Sequence, residues 1–377
     1  MEKQKLILSR LLMLVMIPII VLTMIINIVV PDKKISEVEN RSLQSFPAFS
    51  VNSLLNGEFE KDMGNWFSDQ FVGRNTLLHI KYIVNKMTGV KQMDNVFLSS
   101  SLIEQASSAN AGQLSRNLDS INSFYASHAN LNFQFLLIPN AVSIQSDLVP
   151  KYAYTEDQNQ QMDTIYGKLD QNIKNVDVRS VLKSHADEYL YYKTDHHWTS
   201  LNAFYTFQEF AKASDLGKVK KSDYNVYPVK TDFKGTLANK TGSVGLKDTI
   251  EIYVPKENSD YIYTNTAASI KSRSLYSLEA LDSSNPYNVF LSGNAPYAKL
   301  EMNNDSQKHL LVFKDSYANA FIPFLVPYYR TITIVDPRYY FDDIESVVTK
   351  ECISDVLYLY NANTFVQDTS LSDVLGE

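Results

Sequence analysis

Apolar positions follow three regimes along this chain. From Leu11 to Val30 they form a nearly unbroken run, "LLMLVMIPIIVLTMIINIVV", interrupted only by Pro18, Thr23 and Asn27. About 20 such residues span the hydrocarbon core of a bilayer as a helix. A polar stretch with Pro and Ser follows over 31–50 and reads as a linker. Between residues 51 and 89 the apolar residues return at helical spacing, with Leu54, Leu55, Phe59, Met63, Trp66 and Phe67 on the first stretch. Two helices are expected there, broken near Phe71–Arg74. The remainder alternates. Short apolar runs at 95–98, 132–138, 175–178, 309–314, 331–335 and 355–360 predict strands. Helical patterns fall between them at about 111–127, 157–173, 199–213, 316–326 and 342–350. Buried strands alternating with helices predict an α/β domain of three layers, a parallel sheet covered on both faces. Residues 216–300 depart from this rhythm. They are rich in Tyr, Ser, Asn, Thr and Lys, with strand-like runs such as "TIEIYVP", and read as a β-rich insertion.

Composition narrows the function. The net charge is −7 and no long Lys/Arg block occurs, so the basic stripe that nucleic acid needs is missing. Cys352 is the sole cysteine, which excludes an intramolecular disulfide and a thiolate metal cluster. Lys3, Lys5 and Arg10 precede the apolar run, and "INIVVPDKK" at its end offers no small-residue cleavage site. The expected organisation is a cytoplasmic tail and transmembrane signal anchor over 1–34, followed by an extracytoplasmic catalytic domain over 35–377. The expected location is the bacterial cell membrane, crossed once. A cleaved signal peptide is the alternative.

The chemistry centres on "YKTDHHWTS", residues 192–200. The Tyr, Leu and Thr content of "YLYYKTDHHW", residues 189–198, predicts an extended segment. Asp195 and His197 would then face one way, and His196 and Trp198 the other. With a local turn, an acid two residues before a histidine can hold one ring nitrogen and leave the other to accept a proton. That is the orienting half of a nucleophile–base–acid relay. A buried histidine satisfied by a neighbouring carboxylate fits the local sequence equally well. A Zn²⁺ or Mn²⁺ site is a third reading. It is disfavoured because adjacent histidines on a strand face opposite sides, and the Asp-rich clusters of metal phosphoesterases are not found. Neither metal nor cofactor is therefore expected.

The matching nucleophile is Ser316 in "HLLVFKDSYANAF", residues 309–321. A serine between an apolar strand and a helix sits at the carboxyl edge of a parallel sheet, where α/β ligand sites lie. Its own backbone N–H, and those that follow it, are expected to face an oxyanion there. Helix capping is the competing role for such a serine. The local pattern is not G-x-S-x-G, so an α/β-hydrolase is disfavoured.

Asp-His-His-Trp followed far downstream by "VFKDSYANAF" resembles the DHHW family, akin to the alginate O-acetyltransferase proteins of the SGNH superfamily. The likeness extends to "EVENRSLQSFP" (37–47), "WFSDQFVGRN" (66–75) and "FKGTLANKTG" (233–242). The resemblance implies an SGNH-like three-layer fold and a triad of Ser316, His197 and Asp195. It also implies O-acetyl transfer to a polysaccharide, with a multi-spanning membrane acyltransferase supplying the acetyl group. Lys314-Asp315-Ser316 stands where the superfamily carries Gly-Asp-Ser. A carbohydrate esterase with the same triad is an alternative, as is a non-catalytic glycan-binding or assembly protein.

Position along the sheet edge nominates further residues. Asn319 lies one short turn beyond Ser316. Arg338 and Tyr339 follow the next strand in "VDPRYY", and Asn140 follows "LLIP". Each is a candidate for substrate binding, as is Trp198, although a core role suits its indole better. Asn361 and Asn363 lie at the edge of the last strand. His196 reads as structural.

Overall fold

The computed structural model describes residues 2–36, 41–257 and 259–376. Glu37–Asn40, which open the 37–47 stretch of resemblance, lie outside the described residues. The chain divides into two units, residues 1–87 with 239–244, and residues 88–238 with 245–377.

The first unit opens with α1 (Glu2–Val29), which contains Pro18. Its window Arg10–Asn27 is long and apolar enough to cross a membrane. The two predicted amphipathic helices are present as α2 (Glu58–Gln70) and α3 (Arg74–Met87), preceded by a single turn at Val51–Leu55.

The second unit is built on an eight-stranded sheet. Its strands are β1 (Asn132–Ile138), β2 (Lys174–Asn175), β3 (Tyr261–Asn265), β4 (Ile270–Ser272), β5 (Tyr297–Met302), β6 (His309–Lys314), β7 (Thr331–Val335) and β8 (Asp355–Asn361). The order is β4-β3-β5-β7-β6-β8-β1-β2. The five strands β7, β6, β8, β1 and β2 are mutually parallel. The tyrosine-rich region extends the same sheet with antiparallel strands β5, β3 and β4. It also forms a separate hairpin of Tyr224–Phe233 with Asp248–Pro255.

Alternate residues of each central strand enter opposite cores, which is why the strands read as continuous apolar runs. Leu310, Val312, Ile332, Ile334, Leu357 and Leu359 pack on one face, with α6 (Ser200–Ala213) and α7 (Ala318–Leu325). Leu311, Phe313, Val335, Val356 and Tyr358 pack on the other. There they meet α4 (Ala111–Ser127), α5 (Gln158–Lys168) and α8 (Ile344–Lys350). Burying each such side chain contributes about 1.5–3 kcal/mol, so the central strands hold the sheet edge that carries the site.

Two strand readings differ in detail. Residues 96–98 pair in a small antiparallel sheet with Gln92–Met93 and Leu102–Glu104 rather than joining the large one. Around 175, only Lys174 and Asn175 pair with β1, although Val176 and Val178 remain buried. Apolar content fixed their burial, and the sequence carried no information on which edge would receive them.

Candidate active site

β6 delivers Lys314 to the carboxyl edge, and the chain turns through Asp315, Ser316 and Tyr317 into α7. Asp315 is buried and fastens this turn. Its Oδ1 accepts the Tyr317 N–H at 2.9 Å and its Oδ2 accepts the Asn361 N–H from the end of β8 at 2.9 Å. Burial pushes its carboxyl above the ordinary value, against the Arg338 charge and these N–H groups. The Tyr317 N–H is thus engaged and does not face an oxyanion. The Ser316 N–H has no partner among the described residues and is the one left to do so. Ser316 is not the helix cap either. Tyr317 holds that position, without a side-chain cap bond.

Residues 192–197 are not extended. The segment is a loop closed by an antiparallel bridge between Tyr191 and Trp198. The cause is competition between side chain and ladder. Asp195 Oδ1 accepts the backbone N–H of His197 at 2.9 Å, the local turn that aspartate favours. Asp248, also buried, accepts the N–H groups of Lys193 at 2.8 Å and Thr194 at 2.7 Å, and the hydroxyls of Tyr189 and Thr194. The bend brings the rings of His196 and His197 together, centroids 3.9 Å apart, instead of onto opposite faces.

His197 then bridges two groups. Its Nδ1 lies 2.5 Å from Asp195 Oδ1, and its Nε2 lies 2.8 Å from Ser316 Oγ. Asp195 is saturated. Its Oδ2 also accepts the Thr236 N–H at 2.7 Å and the Thr236 hydroxyl at 3.0 Å. Burial works to raise the Asp195 carboxyl, but the charges of His197 and His196 and these donors hold it far below the usual carboxylate range. Burial lowers His197 to about 4, aided by His196 and opposed by Asp195. Its imidazole is therefore neutral at pH 7. With Asp195 accepting from Nδ1–H, Nε2 is free to take the Ser316 proton. Tyr287 stacks on this ring, centroids 3.7 Å apart and planes at 14°, and closes it from solvent.

Tyr317 locks the two segments in register. Its carbonyl accepts the Trp198 indole N–H at 2.9 Å, and its hydroxyl donates to the His196 carbonyl. Trp198 is fully buried, so its contribution is placement and it offers no open face to a sugar. His196 donates or accepts at Thr236 Oγ1 over 2.7 Å.

The other nominated residues divide sharply. Asn319 is buried, accepts from Lys314 Nζ at 2.9 Å and donates to Asn294 Oδ1 at 3.1 Å. Asn140 is buried and accepts from Gln158 Nε2 at 2.9 Å and the Asn363 N–H at 3.2 Å. The Asn363 side chain ties to Ser107 and Gln105, and Asn361 caps the helix after β8. Arg338 grips Asp336 through Nε at 2.8 Å and an Nη at 2.7 Å, and stays 30% exposed. Tyr339 is 49% exposed. Only these last two present accessible surface at the sheet edge. Lys314 is buried, 2.8 Å from Asn294 Oδ1 and 3.5 Å from Asp336 Oδ2, so its charge is offset internally.

Asp195, His196 and His197 also place potential metal-ligand atoms within 4.8 Å of one another. Hydrogen bonds already account for both Asp195 oxygens and for Nδ1 of each histidine, which leaves this donor set poorly matched to an ion.

Sequence reasoning passed over Asp248, Thr236, Gly235 and Tyr287. Gly235 and Thr236 lie inside the 233–242 stretch and carry a testable consequence. A Cβ on Gly235 would fall 2.2 Å from Asp195 Cβ and Oδ2. Gly235→Ala must therefore displace Asp195. A shift of about 1 Å in a reacting group costs on the order of 10²-fold in rate, so turnover is expected to fall by at least that while the variant remains folded by circular dichroism.

The family model described as DHHW protein matches residues 39–129 and 126–335. The chain belongs to the DHHW family. A DHHW family protein from Eubacterium siraeum superposes with a TM-score of 0.65 at 23% identity, covering 75% of this chain and 95% of that one. PatB1 of Bacillus cereus, solved with a sulfonyl adduct, gives 0.64 at 21% identity, covering 74% and 98%. The O-acetyltransferase domain of Pseudomonas putida AlgJ gives 0.45 at 13%, covering 74% and 94%. At these identities the first two establish that this DHHW protein shares their fold. A sequence search of curated proteins gives no match.

Proposed function

We propose that this DHHW protein is an O-acetyltransferase acting on a cell-envelope polysaccharide through Ser316, His197 and Asp195. The observation that carries this reading is the single imidazole 2.5 Å from a saturated carboxylate and 2.8 Å from a serine hydroxyl at a strand-to-helix turn. His197 Nε2 takes the Ser316 proton as Oγ attacks the acetyl carbonyl. The Ser316 N–H stabilises the oxyanion, a contribution of about 3–4 kcal/mol for a well-placed donor. The tetrahedral intermediate collapses, the leaving group takes the proton from His197, and acetyl-serine remains. A sugar hydroxyl then gives its proton to His197 and attacks the ester, releasing acetylated sugar and Ser316. If water takes the sugar's place, the same groups hydrolyse esters. In this reading α1 anchors the protein in the bacterial membrane, residues 35–377 are extracytoplasmic, and a multi-spanning acyltransferase supplies acetyl groups, as the family resemblance implies. Arg338 and Tyr339 are proposed to contact the substrate.

The sulfonyl adduct on PatB1 supports the reading, since sulfonylation requires a nucleophile in that similarly folded protein. The corresponding test is incubation with an aryl sulfonyl fluoride and peptide mapping by mass spectrometry. An adduct on Ser316 that is lost in His197→Ala supports the relay, and an unmodified Ser316 counts against it.

The pH dependence follows from His197. Because burial holds its folded-state value near 4, below the ordinary 6.5, the base form persists above pH 4. The acid limb of kcat/KM is expected near pH 4, with a plateau through neutrality. A limb near 6.5 would mean that the imidazole is not buried as described.

A further inference from the structure

The first unit carries an apolar surface that the proposed chemistry does not use. On α3, Leu77, Ile80, Ile83, Val84 and Met87 recur three and four residues apart and are all exposed, Met87 to 83%. This spacing aligns them as one stripe along the helix. Its polar residues include Lys81 and Lys86 and no acid. On the same helix Tyr82 is buried, and His79 Nδ1 lies 2.8 Å from the Gly242 carbonyl.

The end of the candidate membrane span is fastened directly to the start of this helix. Asn27, the last residue of the apolar window, accepts the Val72 N–H at 2.8 Å. Just beyond, Asp32 accepts the Trp66 indole N–H at 2.6 Å, and the backbone of Lys33 exchanges two bonds with the Gln70 amide at 3.0 and 2.9 Å. If α1 crosses a bilayer, Asn27 lies within one helical turn of the end of its apolar run, and α3 begins two residues after Val72. Phe46, Phe49 and Phe67 of the same unit are also exposed, apolar side chains of the kind that interfacial segments bury at the headgroup boundary. An amphipathic helix with a wide apolar stripe and cationic polar residues lies in the plane of that boundary and favours anionic lipid.

We propose that α3 is an interfacial helix, seated by its Leu77–Met87 stripe in the anionic leaflet into which α1 is anchored. The proposal rests on α1 spanning the membrane, and it is independent of the chemistry at Ser316.

The test uses the full chain in vesicles of phosphatidylethanolamine and phosphatidylglycerol. Cys352→Ser removes the sole thiol, and single cysteines at Leu77, Ile80, Lys86 or Ile20 carry an environment-sensitive fluorophore. The expected result is quenching at 77 and 80 by lipids with a nitroxide near the headgroup, loss of that quenching at 86, and weaker quenching in pure phosphatidylcholine. Quenching at 77 and 80 by aqueous iodide, equal to that at 86, would overturn the proposal. So would shielding from iodide without lipid quenching, which would indicate a protein partner. The label at Ile20, read with a deep nitroxide, separates failure of the anchor from failure of α3 to dock. If it is not quenched, α1 is not inserted and the proposal falls with it.

Discussion

Ser316→Ala and His197→Ala are each expected to lower kcat by about 10⁶-fold, and the double variant to lose no more than either single one. The non-additivity follows from the geometry. Ser316 Oγ is 2.8 Å from His197 Nε2, and each is useless to the reaction without the other. Serine without a base is an alcohol of ordinary reactivity, and the imidazole without serine has no proton to take. KM is expected to change little, since neither group binds the ground state appreciably. Single-turnover kinetics with an aryl acetate, using all three variants, checks this. Additive losses would mean that the two residues act in separate steps.

Asp195→Asn is expected to reduce kcat by about 10⁴-fold while leaving the fold intact. The carboxylate accepts four hydrogen bonds, from the His197 N–H and ring and from the Thr236 N–H and hydroxyl. A carboxamide has one oxygen and one donor nitrogen, so it cannot accept at all four. If its oxygen stays with Thr236, its nitrogen faces His197 Nδ1 and selects the wrong tautomer. Nε2 then carries the proton and cannot act as base. Loss of imidazolium stabilisation adds to the effect, because Asp195 would no longer be an anion. A tautomer change seen by ¹⁵N NMR of His197 separates this cause from simple displacement.

Much of the sheet was legible because its central strands are buried on both faces. A run such as "LLVF" has no other stable placement, and β1, β6 and β7 occupy the predicted residues. Strand direction in the tyrosine-rich region was not legible. Polar and aromatic residues there suit either an insertion or a sheet edge, and the antiparallel pairing of β3 and β5 depends on partners remote in sequence. At the site, Ser316, His197 and Asp195 stood out through residue type. The supports did not. Asp248 acts on a loop 54 residues away in sequence, and Thr236 on Asp195 across 41. Such contacts leave no local signature. Asp195 itself defeated the extended reading, since its carboxylate competes with a strand ladder for the His197 N–H. The nominated asparagines follow strand ends, but Asn140 and Asn319 are engaged in internal hydrogen bonds that only the folded structure displays.

The most direct test of transfer chemistry is formation of acetylated sugar. The full chain in detergent micelles would be incubated with an aryl acetate and a panel of cell-envelope oligosaccharides, with products resolved by mass spectrometry beside Ser316→Ala. Acetylated oligosaccharide from the native chain, abolished by Ser316→Ala, is the expected result. Acetate release alone, also abolished, would make the protein an esterase on the same triad. Neither product nor an acetylated Ser316 peptide would contradict a catalytic role and leave a glycan-binding or assembly protein on this scaffold.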